Sequence, residues 1–251
     1  MQSNAFTITA ELVPHRQTTA DEALSHARQL ADSVDGIQIA ESPNAWAQVS
    51  PVALAGLLIR SGIDAVPRLT CRDRNRIALQ SDLLGLRATG VTSVVLTRGS
   101  PLPGDQEPMA KAVFDVSCRE LIAMAHTLNE EGSSSVQNEL LIGTDATAFP
   151  PPPNWSAETL MARAGAGARF LQTQPCSDLD LLRKYMRQLV EARITWNYSV
   201  IVSLAPEREG VETCAGLMRE IAGIPGVSGI NLHSLGNPEM VTTVIHASGL
   251  R

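Results

Sequence analysis

Only four of the 251 residues are cysteine, at positions 71, 118, 176 and 214, and none forms a C-x-x-C pair. Spacing that wide argues against a zinc centre or a disulfide framework, and no metal site is expected. No apolar stretch approaches the roughly 18–20 residues of a membrane span. The opening MQSNAFTITAEL lacks the basic start and long apolar run of a secretion signal, so a cytoplasmic protein is expected. The glycosylation-like triplets Asn154-Trp155-Ser156 and Asn197-Tyr198-Ser199 carry no weight without such a signal. Basic runs are missing too. With a net charge of −6 and a pI of about 5.4, binding to nucleic acid or an anionic membrane has nothing to rest on.

Glycine-rich phosphate motifs are also absent. The turn after the first apolar run is Pro14-His15-Arg16, not G-x-G-x-x-G, and GSPLPGD at 99–105 lacks the GK[ST] of a P-loop. The run AGAGA at 164–168 precedes a β-rich segment instead of opening a helix, so it reads as a tight turn. No linker-like stretch divides the chain. The prolines at 150–153 follow the fifth candidate strand and read as a stiff loop.

What is present is a regular alternation. Candidate strands lie at 7–13, 36–41, 65–70, 93–99, 139–146, 169–174, 198–205 and 227–234. Candidate helices, with apolar residues recurring at three and four, lie near 19–33, 51–61, 73–89, 117–131, 157–164, 179–192, 209–222 and 238–248. Ser50-Pro51 and Asn237-Pro238 read as N-cap and N1 pairs, and Gly62, Gly90 and Gly132 as helix stops. Eight such units in 251 residues, 44% of them hydrophobic, predict one (β/α)8 barrel domain over residues 1–251. A doubly wound open sheet is the alternative.

The polar residues collect at strand exits, where α/β enzymes keep their sites. In the first strand Thr7, Thr9 and Glu11 share one face, and Ile8, Ala10 and Leu12 the other. With the apolar face against helices, Glu11 points into the barrel near its mouth. Burial there should raise its pKa, and it reads either as a structural ion pair or as a general acid. Arg72-Asp73-Arg74-Asn75 opens the third helix, where Asp73 and Asn75 can cap it or the group can hold an anion. Arg98-Gly99-Ser100 follows the fourth strand as a structural turn or a phosphate contact. Gln172 and Gln174 share a face on the sixth strand, and two inward amides need partners. Asn231 and His233 share one on the last, but a lone histidine is more often a core group than a catalyst, and His233 is set aside.

These residues resemble those of the methylenetetrahydrofolate reductase family. ITAELVP is similar to its first-strand aromatic-Glu-x-x-Pro motif, CRDRNRIALQSDLL resembles one subgroup closely, and LTRG, the VFD at 113–115, the segment from AGA to FLQTQPCSD and the final GVSGINL follow in order. The resemblance implies a flavin-containing (β/α)8 barrel interconverting 5,10-methylene- and 5-methyltetrahydrofolate in one-carbon metabolism and methionine biosynthesis. It implies Glu11 as the acid at folate N10. Thr70, Arg68, Arg98, Gly99, Ser100 and Arg163 would line the FAD or FMN site, with Gln174 and Gln172 at the pterin and Asp178 as the acid that follows. The electron donor would be NADH, NADPH or a partner protein, and a homo-oligomer fits the family equally.

The chain departs from the family pattern at Ser100, where the family has Asp, at Arg68, where many members have His, and at Pro175-Cys176-Ser177, where it has aromatics. A neutral Ser100 would raise the flavin potential and suit oxidation of methyl-folate. Two other readings stay open: a degenerate barrel serving as a folate-binding subunit, and an enzyme of this fold working without flavin.

Overall fold

A computed structural model describes residues 6–42, 46–102, 110–131, 139–146, 151, 155–233 and 236–251. Eight strands run parallel in chain order and close on themselves: β1 (Thr7–Leu12), β2 (Gly36–Ile39), β3 (Ala65–Thr70), β4 (Ser93–Thr97), β5 (Leu141–Asp145), β6 (Phe170–Pro175), β7 (Ser199–Leu204) and β8 (Val227–His233). β1 closes the ring, with Glu11 opposite Gln38 of β2 on one side and His233 of β8 on the other. The (β/α)8 barrel expected from the alternation is the fold that forms.

Outside the sheet lie α1 (Ala20–Ala31), α2 (Pro51–Arg60), α3 (Arg76–Ala88), α4 (Cys118–Glu131), α5 (Glu158–Gly165), α6 (Leu179–Glu191), the single turn α7 (Pro206–Glu209), α8 (Val211–Ala222) and α9 (Pro238–Ser248). Their caps are local chemistry. Thr19 and Glu22 bond reciprocally at the start of α1. Asn75, Asp178 and Asn237 cap α3, α6 and α9, accepting from the backbone N–H of Ala78, Leu181 and Met240 at 3.0, 2.9 and 3.0 Å. No helix among the described residues is long and apolar enough to cross a membrane.

Several local expectations differ from the structure. Ser50 precedes Pro51, but its side chain makes no capping bond. The third helix begins at Arg76 and not at 73, because Asn75 takes the cap while Asp73 turns back to Arg72. The helix expected over 209–222 is two pieces: Pro206 starts α7, and Gly210, at φ 77°, breaks the chain before α8. Gly62 and Gly90 do stop α2 and α3 in left-handed conformations. Gly132, and the proline run except for Pro151, lie outside the described residues.

The two faces of β1 separate as its alternation predicts. Ile8, Ala10 and Leu12 are buried in the core shared with the helices, while Thr9 bonds to its register neighbour Asn231 on β8 at 2.8 Å. The barrel interior is filled in layers. Val95, Phe170 and Ile201 form a small apolar cluster of their own, with Val66 against it. Phe170 fits because β5 carries Gly143 beside it, where a Cβ would stand 2.1 Å from the ring.

Further along the strands the filling turns polar. Gln38 of β2 donates to Gln172 of β6 at 2.7 Å, and Gln172 donates to Ser203 of β7 at 3.3 Å. That layer sits directly beneath the mouth.

Candidate active site

Each polar group at the mouth comes from the end of a strand or the loop beyond it. Glu11 stands one residue before the end of β1, 6% exposed, and its Oε2 lies 2.8 Å from Nδ1 of His233, the last residue of β8. Arg68 of β3 reaches past β4 to Asp145, the last residue of β5, at 2.6 Å, and its charge also bears on Glu11. Glu41, two residues after β2, pairs with Arg74, which also holds Asp82 at 2.8 Å. Glu207 of α7 has both carboxylate oxygens buried without a hydrogen-bond partner among the described residues, and His233 Nε2 is in the same state.

Electrostatics sort these carboxylates. Burial pushes Glu11 up, but the hydrogen bond and charge of His233, together with the charge of Arg68, outweigh it and hold the carboxyl below its ordinary value. Burial alone was expected to raise it; the partners reverse the sign. Glu41 goes the other way, since burial lifts it and Arg74 and the neighbouring Thr70 hydroxyl offset only part of the effect. Glu207 is likewise raised by burial. Two kinds of carboxyl therefore face one mouth, one lowered through its partners and one raised by burial.

The other residues singled out from sequence fall in two groups. Thr70, Arg98, Gly99 and Ser100 meet where β3 and β4 end. Gly99 has φ 81°, and a Cβ there would come 3.0 Å from Arg72 Cβ and 3.1 Å from Thr70 Cβ, so only glycine lets this turn pack on β3. Arg98 is exposed and lies 4.4 Å over the ring of Phe114, within cation–π range. The VFD segment straps this corner: Val113 and Phe114 donate backbone bonds to Arg72 and Cys71 at 2.7 and 3.1 Å, and Asp115 accepts from the Arg76 N–H at 2.8 Å. Phe114 takes a left-handed φ of 43°, uncommon for a bulky residue. Ser100 is exposed.

The second group is bound up in the barrel itself. Arg163 Nη1 donates to the Asp145 carbonyl at 2.8 Å and to the Thr144 hydroxyl at 3.3 Å, which fixes the end of β5. Gln172 is one layer below the mouth, its amide spent on Gln38 and Ser203. Gln174 is exposed at the rim. The two glutamines do not continue one alternating row, because the register of β6 on β7 shifts between Gln172 and Pro175. Asp178 caps α6.

All four cysteines are free and buried. Burial raises their thiols, to about 12 for Cys71 and Cys214, so they are poor nucleophiles. Among the described residues no His, Cys, Asp or Glu cluster has the makings of a metal site.

Sequence reasoning set His233 aside and did not single out Glu41, Asp145 or Glu207. The first three had a usable signal: each lies at a strand exit, and His233 becomes Glu11's neighbour once the barrel closes β8 on β1. Glu207 had none, since α7 was not expected.

A closed (β/α)8 barrel with its ionisable groups gathered at the carboxyl ends of the strands is the arrangement of barrel enzymes. The methylenetetrahydrofolate reductase family matches residues 1–247, and the chain belongs to that family, which points to folate-related reductase chemistry. No curated protein matches the chain.

Solved structures similar to it include the deoxyribose phosphate aldolase of Aeropyrum pernix, at TM-score 0.56 and 13% identity over 96% of this chain and 89% of that one. The dihydrodipicolinate synthase of Agrobacterium tumefaciens str. C58 gives 0.59 and 14% over 99% and 77%. A protein of Aquifex aeolicus VF5 gives 0.62 and 12% over 99% and 93%. At these identities the likeness is one of fold.

Proposed function

We propose that the protein is a flavin-dependent oxidoreductase interconverting 5,10-methylene- and 5-methyltetrahydrofolate, with a pyridine nucleotide or a partner protein exchanging the electrons. The observation that carries this reading is Glu11. In this chain of that family, a carboxylate is buried at the barrel mouth and held by an imidazole at 2.8 Å, with a half-buried arginine nearby. That is a placed acid–base group, with its proton under the control of its neighbours.

The corner between β3 and β5 fits the flavin the family implies. The Thr70 hydroxyl is buried beside the Glu41 carboxyl, and Arg98 makes no ion pair among the described residues. A fork-shaped cation free of protein ion pairs among the described residues, with a hydroxyl beside it, suits a ligand bearing carbonyls and phosphates. Thr70, Arg98, Gly99 and Ser100 would hold the cofactor there, with Arg68 and Arg163 keeping the end of β5 in place behind it. Bound flavin supplies the hydride chemistry.

The chain's own part is to orient the pterin from the rim at Gln174, to keep water from the mouth and to move one proton. Glu11 gives that proton to folate N10 when the methylene bridge opens, and takes it back when the bridge closes. A carboxyl lowered by its partners suits taking the N10 proton as the bridge closes, the step that ends oxidation of methyl-folate, and a neutral Ser100 would suit a flavin that accepts electrons from it.

Reconstitution tests the cofactor. The purified protein, incubated with FAD or FMN and freed of excess, is expected to keep the visible bands of an oxidised flavin. If neither is retained at micromolar concentration, the reading as a flavoenzyme is wrong.

A further inference from the structure

We propose that His233 and Glu11 act as one acid–base pair, in which His233 is the positioning residue: a single proton is held between Glu11 Oε2 and His233 Nδ1 and exchanged with solvent through Nε2. The proposal rests on the reading of Glu11 as the group that exchanges a proton with folate N10.

The geometry is specific. Glu11 and His233 are paired in register across the β1–β8 seam that closes the barrel, so neither can shift without moving a strand. Oε2 and Nδ1 are 2.8 Å apart, with the side chains 8% and 23% exposed. The far side of the imidazole is not sealed by a protein partner, since Nε2 is buried without one among the described residues. Glu207, whose two oxygens also lack partners among them, bears on the imidazole from α7. Two charged groups outside the pair therefore bear on it, Arg68 from β3 on the carboxylate and Glu207 from α7 on the imidazole. A purely structural ion pair would use no second nitrogen. Here that nitrogen lies in the field of a second carboxylate, Glu207, and has no protein partner among the described residues.

The proton balance closes in the direction proposed above. As the methylene bridge forms, the N10–H bond breaks and an O–H bond forms at Glu11. The pair begins as carboxylate and imidazolium, so it then loses one proton as the Nε2–H bond breaks and that proton goes to solvent, leaving protonated Glu11 hydrogen-bonded to a neutral imidazole. One proton enters the pair and one leaves, with no redox change in the protein. In the opening direction the same steps run backwards.

The test uses the flavin-loaded full-length protein and two readouts. His233→Asn keeps a donor close to the Nδ1 position but cannot carry a proton through; His233→Leu removes both functions. The first readout is the rate of the folate half-reaction in wild type, His233→Asn, Glu11→Gln and the double variant. If His233 works through Glu11, His233→Asn slows this step by about tenfold or more, and the double variant is no slower than Glu11→Gln alone. Independent slowing, in which the two effects multiply, would overturn the proposal, as would a His233→Asn protein as fast as wild type.

The second readout needs no turnover. The carbonyl stretch of protonated Glu11, identified by its loss in Glu11→Gln, is followed against pH by infrared difference spectroscopy. Removing the imidazole takes away the hydrogen bond and charge that lower the carboxyl most, so the band should persist to higher pH in His233→Leu, and to a smaller extent in His233→Asn, which keeps a donor. An unmoved titration would overturn the pair. A shifted titration in a protein whose wild type shows no folate half-reaction would leave the pair standing and reject the functional reading instead.

Discussion

The fit of Phe170 against Gly143 sets a sharp energetic test of the barrel interior. A Cβ on residue 143 would stand 2.1, 2.2 and 2.5 Å from three ring carbons of Phe170, where ordinary contact begins near 3.4 Å. The ring would have to move by more than an ångström, yet it is packed with Val95 and Ile201 inside a closed barrel. Overpacking of this kind costs roughly 1–3 kcal/mol. Against it stand about 0.8 kcal/mol for the buried methyl and about 0.4–1 kcal/mol from a stiffer unfolded chain. Three ring atoms in conflict put the cost at the upper end of that range, so the clash is expected to win by about 1–2 kcal/mol.

Phe170→Ala alone leaves a cavity and should cost about 3–5 kcal/mol. In that background Gly143→Ala meets no ring, so its effect should turn neutral or favourable, with a coupling of at least about 1 kcal/mol. Urea unfolding of the four proteins, followed by far-UV circular dichroism, measures all of these. If Gly143→Ala is as stable as wild type, the ring does not occupy that space. If the two substitutions simply add, the account of the interior fails. Phe170 lies two residues before Gln172, whose amide joins the polar layer beneath the mouth, so a displaced ring should also slow folate chemistry.

Three further outcomes are expected. Glu11→Gln should slow the folate half-reaction by about 10²–10⁴-fold while leaving flavin reduction by dithionite or a pyridine nucleotide nearly unchanged, as read by stopped-flow absorbance. Ser100→Asp should lower the midpoint potential of the bound flavin, but only modestly. The position is exposed, so an interaction of about 0.2–1 kcal/mol corresponds to about 5–20 mV, and an unchanged or higher potential would remove Ser100 from the tuning of the flavin.

Glu207→Gln should stabilise the protein increasingly as pH rises. The Glu207 carboxyl is raised in the fold by burial, so its favourable contribution is complete in acid and lost as pH climbs through its folded value. Glutamine never ionises, so the melting-temperature gain over wild type should be larger near about pH 8 than near about pH 4. A gain confined to acid would mean that the Glu207 carboxylate is paired.

Much of this was legible in the sequence, for physical reasons. Period-3.6 and period-2 patterns report which residues face a core, and a barrel repeats that core eight times, so every strand appeared within a few residues of its place. Glu11 was legible because alternation along β1 leaves it on the face opposite Ile8 and Ala10. Less was legible where one backbone angle or one distant neighbour decides. The 3.6-residue pattern continues through Gly210, and only its φ of 77° splits the helix there. The shift in β6 after Gln172 ends the row that joined it to Gln174. The Glu11 carboxyl was expected to rise because burial can be guessed from one strand. The imidazole that reverses the shift arrives from the far end of the chain through barrel closure, and so does the part His233 plays.

The most direct measurement of the central claim is a single anaerobic mixing experiment. The protein reconstituted with flavin is mixed with 5-methyltetrahydrofolate in one syringe pair, and in its chemically reduced form with 5,10-methylenetetrahydrofolate in the other, with flavin absorbance followed and products identified by mass. Bleaching in the first mixture and recovery of the oxidised bands in the second, each matched by the other folate as product, is the expected result. A flavin whose spectrum responds to neither folate would contradict it.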